Sequence, residues 1–375
     1  MPCSVASGAV DLFLELAALE TPPGRERPAA DRCLEYLREL GLDPREDDAA
    51  ARLDGDTGNI HVRLEPTGPG TPLFFCAHLD TVPPEAPVEP ILVNGVITNR
   101  HDAILGADNK ATVAGMLDGL RRLLAEGRPH AGVELVLTPQ EEIGLLGVKA
   151  FDVEALAARV GYVYDHGGPV GGMVMAAPSQ KTIDLRFLGR ASHSGIAPEE
   201  GRSAVAAAGR AIAAMRLGRI DEGTTANVGT IHGGIARNVV PSLCTLKAEV
   251  RGLDPARCAE ETTHLLTAAA TAAAAEGCSV ETSVVDEYTA YRFRRGDPAV
   301  RLARQALEAA GLRVYDLLSG GGADAHVFNA RGLSCLNLTS GMEKIHTAEE
   351  QIAVADVDAL SELTVELVRA AADGG

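Results

Sequence analysis

Hydrophobic and polar positions follow three rhythms along this chain. Over 10–20, apolar residues fall at Val10, Leu12, Phe13, Leu16 and Leu19, the spacing of one buried helical face, and Thr21-Pro22-Pro23-Gly24 ends it. A second such helix is predicted over 27–40, stopping at Gly41, and others over 108–124, 203–215, 255–276, 298–310 and 354–371. Short, mainly apolar runs form the second rhythm, the one at 133–137 broken by Glu134. Residues 73–77 run into His78-Leu79-Asp80, 133–137 run towards Gln140-Glu141-Glu142, and 160–164 run into Asp165-His166-Gly167-Gly168. Such runs are the mark of strands buried on both faces, each here closing on polar residues. Further strands are predicted over 59–64 and 334–338. Strict alternation is the third rhythm. Over 181–188, Ile183, Leu185 and Phe187 interleave with Asp184 and Arg186, so this strand has one buried face. It opens a run of strand, helix, strand (225–231), strand (242–251), helix, strand (279–285), the order of a ferredoxin-like α+β domain.

Together these rhythms predict an α/β domain with a mainly parallel sheet, interrupted by an inserted α+β domain. The expected division is 1–178 and 291–375 for the first domain and 179–290 for the insertion. A length of 375 residues fits two cores better than one. In parallel sheets ligands bind beyond the carboxyl ends of the strands. The His, Asp and Glu residues that close three of these strands therefore stand where a site is expected.

Composition narrows the chemistry. With 34 Lys+Arg against 52 Asp+Glu, the net charge of −18 repels polyanions, and no basic stripe offsets it, so nucleic acid is excluded as a partner. Aromatic residues are 3% and Trp is absent, which removes a stacking platform for bases or sugars. Seven widely spaced cysteines without a C-x-x-C argue against a disulfide framework and against a thiolate zinc site. Asp11 and Glu15 interrupt the first apolar stretch, so it does not read as a signal peptide, and no run is long enough to span a membrane. The expectation is a cytoplasmic protein.

His78, Asp80, Asp108, the Glu141-Glu142 pair, Asp165 and His346 are the candidate ligands. Each has a plain structural reading alone: a histidine at a strand end, an aspartate capping a helix, a solvated acidic turn, turn chemistry at Asp165-His166-Gly-Gly. As a set they offer only N and O donors, which suits Zn²⁺, Mn²⁺ or Co²⁺. Their number is enough for two ions sharing a carboxylate, with one glutamate left over to take a proton from an activated water.

Five blocks carry a family resemblance: CAHLDTV (76–82), LGADNKATVA (105–114), TPQEEIGLLG (138–147), YDHGG (164–168) and IHTAEE (345–350). Two more lie in the inserted domain, GRASHSGIAPEEGRSA (189–204) and VGTIHGGIARNVVP (228–241). With these in order over nearly the whole chain, the sequence resembles the M20 family of di-zinc peptidases and amidohydrolases, most of all its tripeptidase branch. The resemblance implies that His78 and Asp165 bind one metal and Glu142 and His346 the other, with Asp108 bridging. It implies that Asp80 orients His78 by accepting its free N–H, and that Glu141 is general base and then general acid. In the insertion, a lid in this family, His193 would stabilise the oxyanion and Asn238 and Arg251 would hold a substrate carboxylate. The implied cofactors are two divalent ions, zinc foremost, and the implied assembly is a homodimer through the lid, with short peptides as substrate. Asn109 departs from the family pattern, standing where a second acidic residue is usual, and His166 stands where relatives often have a small or apolar one. The resemblance also implies, through an aspartate rather than a glutamate at Asp165, an aminopeptidase acting on a free N-terminus. An N-acyl amino acid amidohydrolase or carboxypeptidase, and a non-catalytic metal-binding scaffold, are the alternatives.

Overall fold

The computed structural model describes residues 8–373. Its main elements in chain order are α1 (Ala9–Ala17), α2 (Arg27–Glu39), β1 (Ile60–Leu64), β2 (Leu73–His78), α3 (Ala107–Glu126), β3 (Val133–Thr138), β4 (Val160–Val163), β5 (Ser179–Leu188), α4 (Ala204–Ala214), β6 (Thr224–Gly233), β7 (Leu243–Gly252), α5 (Pro255–Ala275), β8 (Ser279–Tyr288), α6 (Pro298–Ala309), β9 (Ser334–Asn337) and α7 (Val354–Asp373). The chain divides into two compact units. Unit 1 holds the residues up to Met175, Phe293–Ser319 and those from Ala323 on; unit 2 holds Ala176–Arg292 and Gly320–Gly322. The boundaries expected at 178 and 290 shift because Tyr291 and Arg292 pair with Ala177 and Ala176. Residues 320–322, expected with the first domain, group with unit 2, where the Gly320 carbonyl accepts from Arg251 Nη1 at 3.1 Å.

Unit 1 is built on a sheet in the order β1-β3-β2-β4-β9, with the two-residue strand Arg45–Glu46 beyond β1. β2, β3, β4 and β9 run parallel, and β1 runs antiparallel to β3. Every residue of β2, β3 and β4 is buried, Glu134 of β3 included, as strands covered on both faces require. The cover is close. A Cβ on Gly161 of β4 would stand 2.2 Å from the Phe74 ring of β2, so only glycine fits. α3 packs equally tightly on α7: a Cβ on Gly115 would meet the Leu360 Cβ at 2.6 Å, and one on Gly119 the Thr364 Cβ at 2.6 Å.

Unit 2 is an antiparallel sheet in the order β6-β7-β5-β8, with the short strand Gly218–Asp221 beyond β6. Ile183, Leu185 and Phe187 of β5 are buried with Leu246 and Val250 of β7 against α4 and α5, while Asp184 and Arg186 are exposed. The alternation in the sequence is this face selection.

Short elements escaped the periodicity. The hairpin Pro90–Val93 and Val96–Asn99 pairs with Gln351–Ala353, and small helices occur at Ala49–Arg52, Leu146–Ala150 and Ala325–Ala330. Each is too short to complete a pattern of apolar repeats.

Candidate active site

The neighbours of β2 explain where the chemistry gathers. β3 lies on one side of it and β4 on the other, all three parallel, so their carboxyl ends open on one edge of the sheet. His78 is the last residue of β2. Glu141 and Glu142 follow β3, and Asp165 follows β4. Asp108 sits at the mouth of α3, but not as a helix cap. Its φ of −80° and ψ of 102° are extended, Asn109 is also non-helical, the peptide between them is cis, and Gly106 precedes the helix with φ at 77°. His346 arrives from the loop ahead of Gln351, with φ at 62°, a conformation sparsely populated outside glycine and recurrent at functional sites.

The side chains converge in two halves. His78 Nε2 lies 3.3 Å from Asp108 Oδ1, 3.7 Å from Asp165 Oδ1 and 4.0 Å from Glu141 Oε2. His346 Nε2 lies 3.0 Å from Glu142 Oε1 and 3.4 Å from Asp108 Oδ2. The two oxygens of Asp108 thus face different histidines. Three donor triads have all their atoms within 4.8 Å of one another: His78 with Asp108 and Asp165, His78 with Glu141 and Glu142, and Asp108 with Glu142 and His346. His166 belongs to none of them; its Nδ1 lies 2.7 Å from the carbonyl of Gly167.

Asp80 is fully buried here and stands against two partners. His78 Nδ1 bonds the backbone carbonyl of Asp80 at 3.0 Å, with the carboxylate farther off at 3.5 Å. The Asp80 carboxylate instead accepts from the amides of Glu141, at 2.9 Å, and Glu142, at 3.0 Å. The carbonyl thus stands within hydrogen-bond reach of the His78 ring, and the side chain holds the glutamate turn.

Two other supporting residues went unread in the sequence. Glu350, only 2% exposed, accepts from Leu105 N and Gly106 N through Oε2 and from Asp108 N through Oε1, at 2.8, 2.9 and 3.0 Å. Asn337, at the end of β9, accepts from Asp165 N at 2.9 Å and donates to Asp165 O at 3.0 Å. Glu350 lies in a block that carries the family resemblance, but nothing in its type or spacing distinguishes a residue that holds backbone amides. Lys110 is buried too, donating to the Leu19 carbonyl, and burial pushes its amine down to about 7. Asn109 is fully buried, so an amide in place of a carboxylate spares the site a further buried charge.

The electrostatics of the cluster point one way. Burial raises Glu141 well above the usual carboxylate range, and Asp165, Asp324 and Glu142 add to the push. Burial also raises Asp165 to about 7, assisted by Asp108. His346 is held up at about 10 by its bonds to Asp108 and Glu142. Burial opposes charge on His78, yet the neighbouring Glu141, Asp108 and Asp165 outweigh it and raise the ring well above its usual value. Asp108 alone is lowered: the His346 and His78 rings beside it overcome its burial. The four raised groups are shifted as a site short of positive charge would shift them. Asp108 Oδ1 is moreover buried without a hydrogen-bond donor. N and O donors in two histidine-carboxylate halves, joined by one carboxylate with an unsatisfied oxygen, fit a pair of borderline dications.

Unit 2 holds its candidates differently. His193 and Asn238 are exposed; the Gly195 amide donates to His193 Nδ1 at 3.2 Å, and the Asn238 carbonyl accepts from Ser194 N at 3.0 Å. Arg251 closes its fork on Glu249, Nε to Oε1 and Nη2 to Oε2 both at 3.1 Å, while Nη1 reaches the Gly320 carbonyl at 3.1 Å and the Tyr288 hydroxyl at 3.4 Å.

Comparison with known proteins shows a family and close relatives in fold. The description of peptidase family M20/M25/M40 matches residues 74–370. A solved structure of a tripeptidase from Staphylococcus aureus superposes with a TM-score of 0.93 at 34% identity, over 97% of this chain and 98% of that one. The structure of aminopeptidase PepT from Bacillus cereus gives 0.89 at 35% identity, over 97% and 98%. The Bacillus subtilis protein YqjE is 34% identical over 360 residues, 96% of this chain and 97% of that protein. No helix among the described residues is long and apolar enough to cross a membrane.

Proposed function

The chain belongs to peptidase family M20/M25/M40, and from that premise we propose that it is a two-metal exopeptidase releasing the N-terminal residue of short peptides, tripeptides foremost. Its identity as a metal-dependent peptidase follows from the family; the finer reading is carried by Asp108, whose two oxygens face two separate histidine-carboxylate pairs. In this reading His78 and Asp165 hold one ion, Glu142 and His346 the other, and Asp108 both. The all-N/O donor set suits zinc, with cobalt or manganese as substitutes. Bound dications supply Lewis acidity, lowering the pKa of a water and polarising the scissile carbonyl.

The protein's own part is proton handling and orientation. Glu141 takes the proton of the attacking water. It then delivers that proton to the leaving amine. Asp80 holds the turn that aims Glu141, and the Asp80 carbonyl keeps the proton of His78 on Nδ1, so that Nε2 faces the carboxylates. We assign His193 to the developing oxyanion. Asn238, rather than Arg251, has first claim on the substrate carboxylate, because the Arg251 fork is closed on Glu249. We read unit 2 as the ferredoxin-like lid. Its ten-residue end strand β8, with Val284 and Val285 exposed, supports pairing of two chains there.

Asp165 and the likeness to tripeptidase and aminopeptidase structures support a free N-terminus as the recognised handle. The test is a substrate panel with Zn²⁺ or Co²⁺: Leu-Gly-Gly, its N-acetylated form and N-acetyl-leucine. The free tripeptide is expected to be cleaved and the acetylated compounds to resist. Faster cleavage of the blocked compounds would overturn the aminopeptidase reading in favour of an amidohydrolase.

A further inference from the structure

The glutamate turn is gripped by a second carboxylate, far from Asp80 in sequence. Glu26 is fully buried at the entrance to α2, and its Oε1 accepts from the amides of Gly24 at 2.7 Å and Gln140 at 3.1 Å. Gln140 is itself 2% exposed with φ at 55°, and its side-chain amide reaches the Leu53 carbonyl at 3.4 Å. The seat is tight, since a Cβ on Gly55 would stand 2.5 Å from Gln140 Nε2. Three consecutive amides, those of Gln140, Glu141 and Glu142, therefore each end on a buried carboxylate: the first on Glu26, the next two on Asp80. An isolated left-handed residue ahead of a reacting side chain is a pivot. Returning Gln140 to an ordinary φ would redirect the chain into Glu141, and a catalytic group works only if held to about half an ångström.

We propose that Glu26 is a positioning residue for the reaction: by holding the Gln140 amide it locks the pivot that aims the Glu141 carboxylate. The inference rests on the reading of Glu141 as general base. Glu26 touches neither substrate nor metal and acts only through the turn.

The test is a double-mutant cycle on the metal-loaded enzyme with Leu-Gly-Gly. Glu26→Leu, which removes the acceptor, is expected to lower kcat by about 10–100-fold with KM unchanged, the usual scale for an orienting partner. Glu26→Gln, which keeps Oε1 as acceptor, is expected to restore kcat to within about threefold of wild type. Should Glu26→Leu not fold, Glu26→Asp takes its place, because it retains an acceptor but withdraws it from Gln140. In the Glu141→Gln background the same change is expected to cost little more, since residues acting as one unit are not additive. The proposal is overturned if Glu26→Leu or Glu26→Asp keeps wild-type kcat, if Glu26→Gln falls as far as they do, or if the loss repeats in full without Glu141. Failure of the underlying reading shows separately, as a Glu141→Gln single variant turning over at the wild-type rate.

Discussion

In unit 1, the side chains of His78, Asp108 and Asp165 are 2%, 7% and 9% exposed. They stand at strand ends and a helix mouth, and the backbones of Asp108 and Asp165 are held by the buried side chains of Glu350 and Asn337. In unit 2, His193 and Asn238 are exposed, and their own contacts close turns and a β-bridge between residue 193 and Val239. One group is fixed by buried hydrogen bonds that span the sequence; the other is displayed. Buried charges kept together at the cost of desolvation call for a counter-charge, whereas displayed residues await a ligand. Substitutions in the first group should therefore alter metal content and stability as well as rate, and those in the second group rate alone.

The largest effect belongs to Asp108→Ala, which removes the oxygens facing both histidines. Elemental analysis should show both ions lost and turnover at background; a variant that kept its full metal complement would break the contrast. His193→Ala comes next. If this ring serves the oxyanion, kcat falls by about 10²–10³-fold. Melting should stay within about 0.5 kcal/mol of wild type, as for a surface change. A drop in metal content would place His193 in the wrong group. Asp80→Ala is smaller in rate, about 10–100-fold. Unlike His193→Ala it should also lower the melting temperature, because two amides of the glutamate turn lose their acceptor, at about 1–3 kcal/mol for each buried one.

The smallest effect is a pH slope. Burial pushes Glu26 from 4.5 up to about 7 in the folded chain. Below about 4.5 both folded and unfolded chains keep the proton; between about 4.5 and 7 the unfolded chain releases it first, so this group's contribution to stability is lost as pH rises. Glu26→Gln removes that slope, and its melting temperature should match wild type near pH 4 and exceed it by a few degrees above about pH 7. A gain of equal size at both ends would contradict this.

Much of unit 1 could be read from residue order because buried parallel strands announce themselves. Apolar runs at 73–77 and 133–137 admit few other readings, and polar closures such as His78 and Asp165 mark the sheet's functional edge. The alternation of Ile183, Leu185 and Phe187 likewise displayed the face of unit 2 that meets its helices. What stayed hidden were contacts rather than elements. Glu350 reaches Asp108 across 242 positions, Asn337 reaches Asp165 across 172, and Glu26 reaches Gln140 across 114, and each binds a backbone amide, which leaves no motif. Asp80 was found beside His78, but its second task, accepting from the Glu141 amide, is a backbone contact that leaves no mark in the sequence. Asp108 was read at a helix start, where its extended backbone is invisible to periodicity.

Glu141 is the residue we propose as a proton carrier that binds neither ion. The most direct measurement is elemental analysis of Glu141→Gln beside its turnover of Leu-Gly-Gly. The account predicts the full wild-type complement of two ions per chain with kcat reduced by about 10²–10⁴-fold. Retained turnover, or loss of an ion along with the activity, would contradict it.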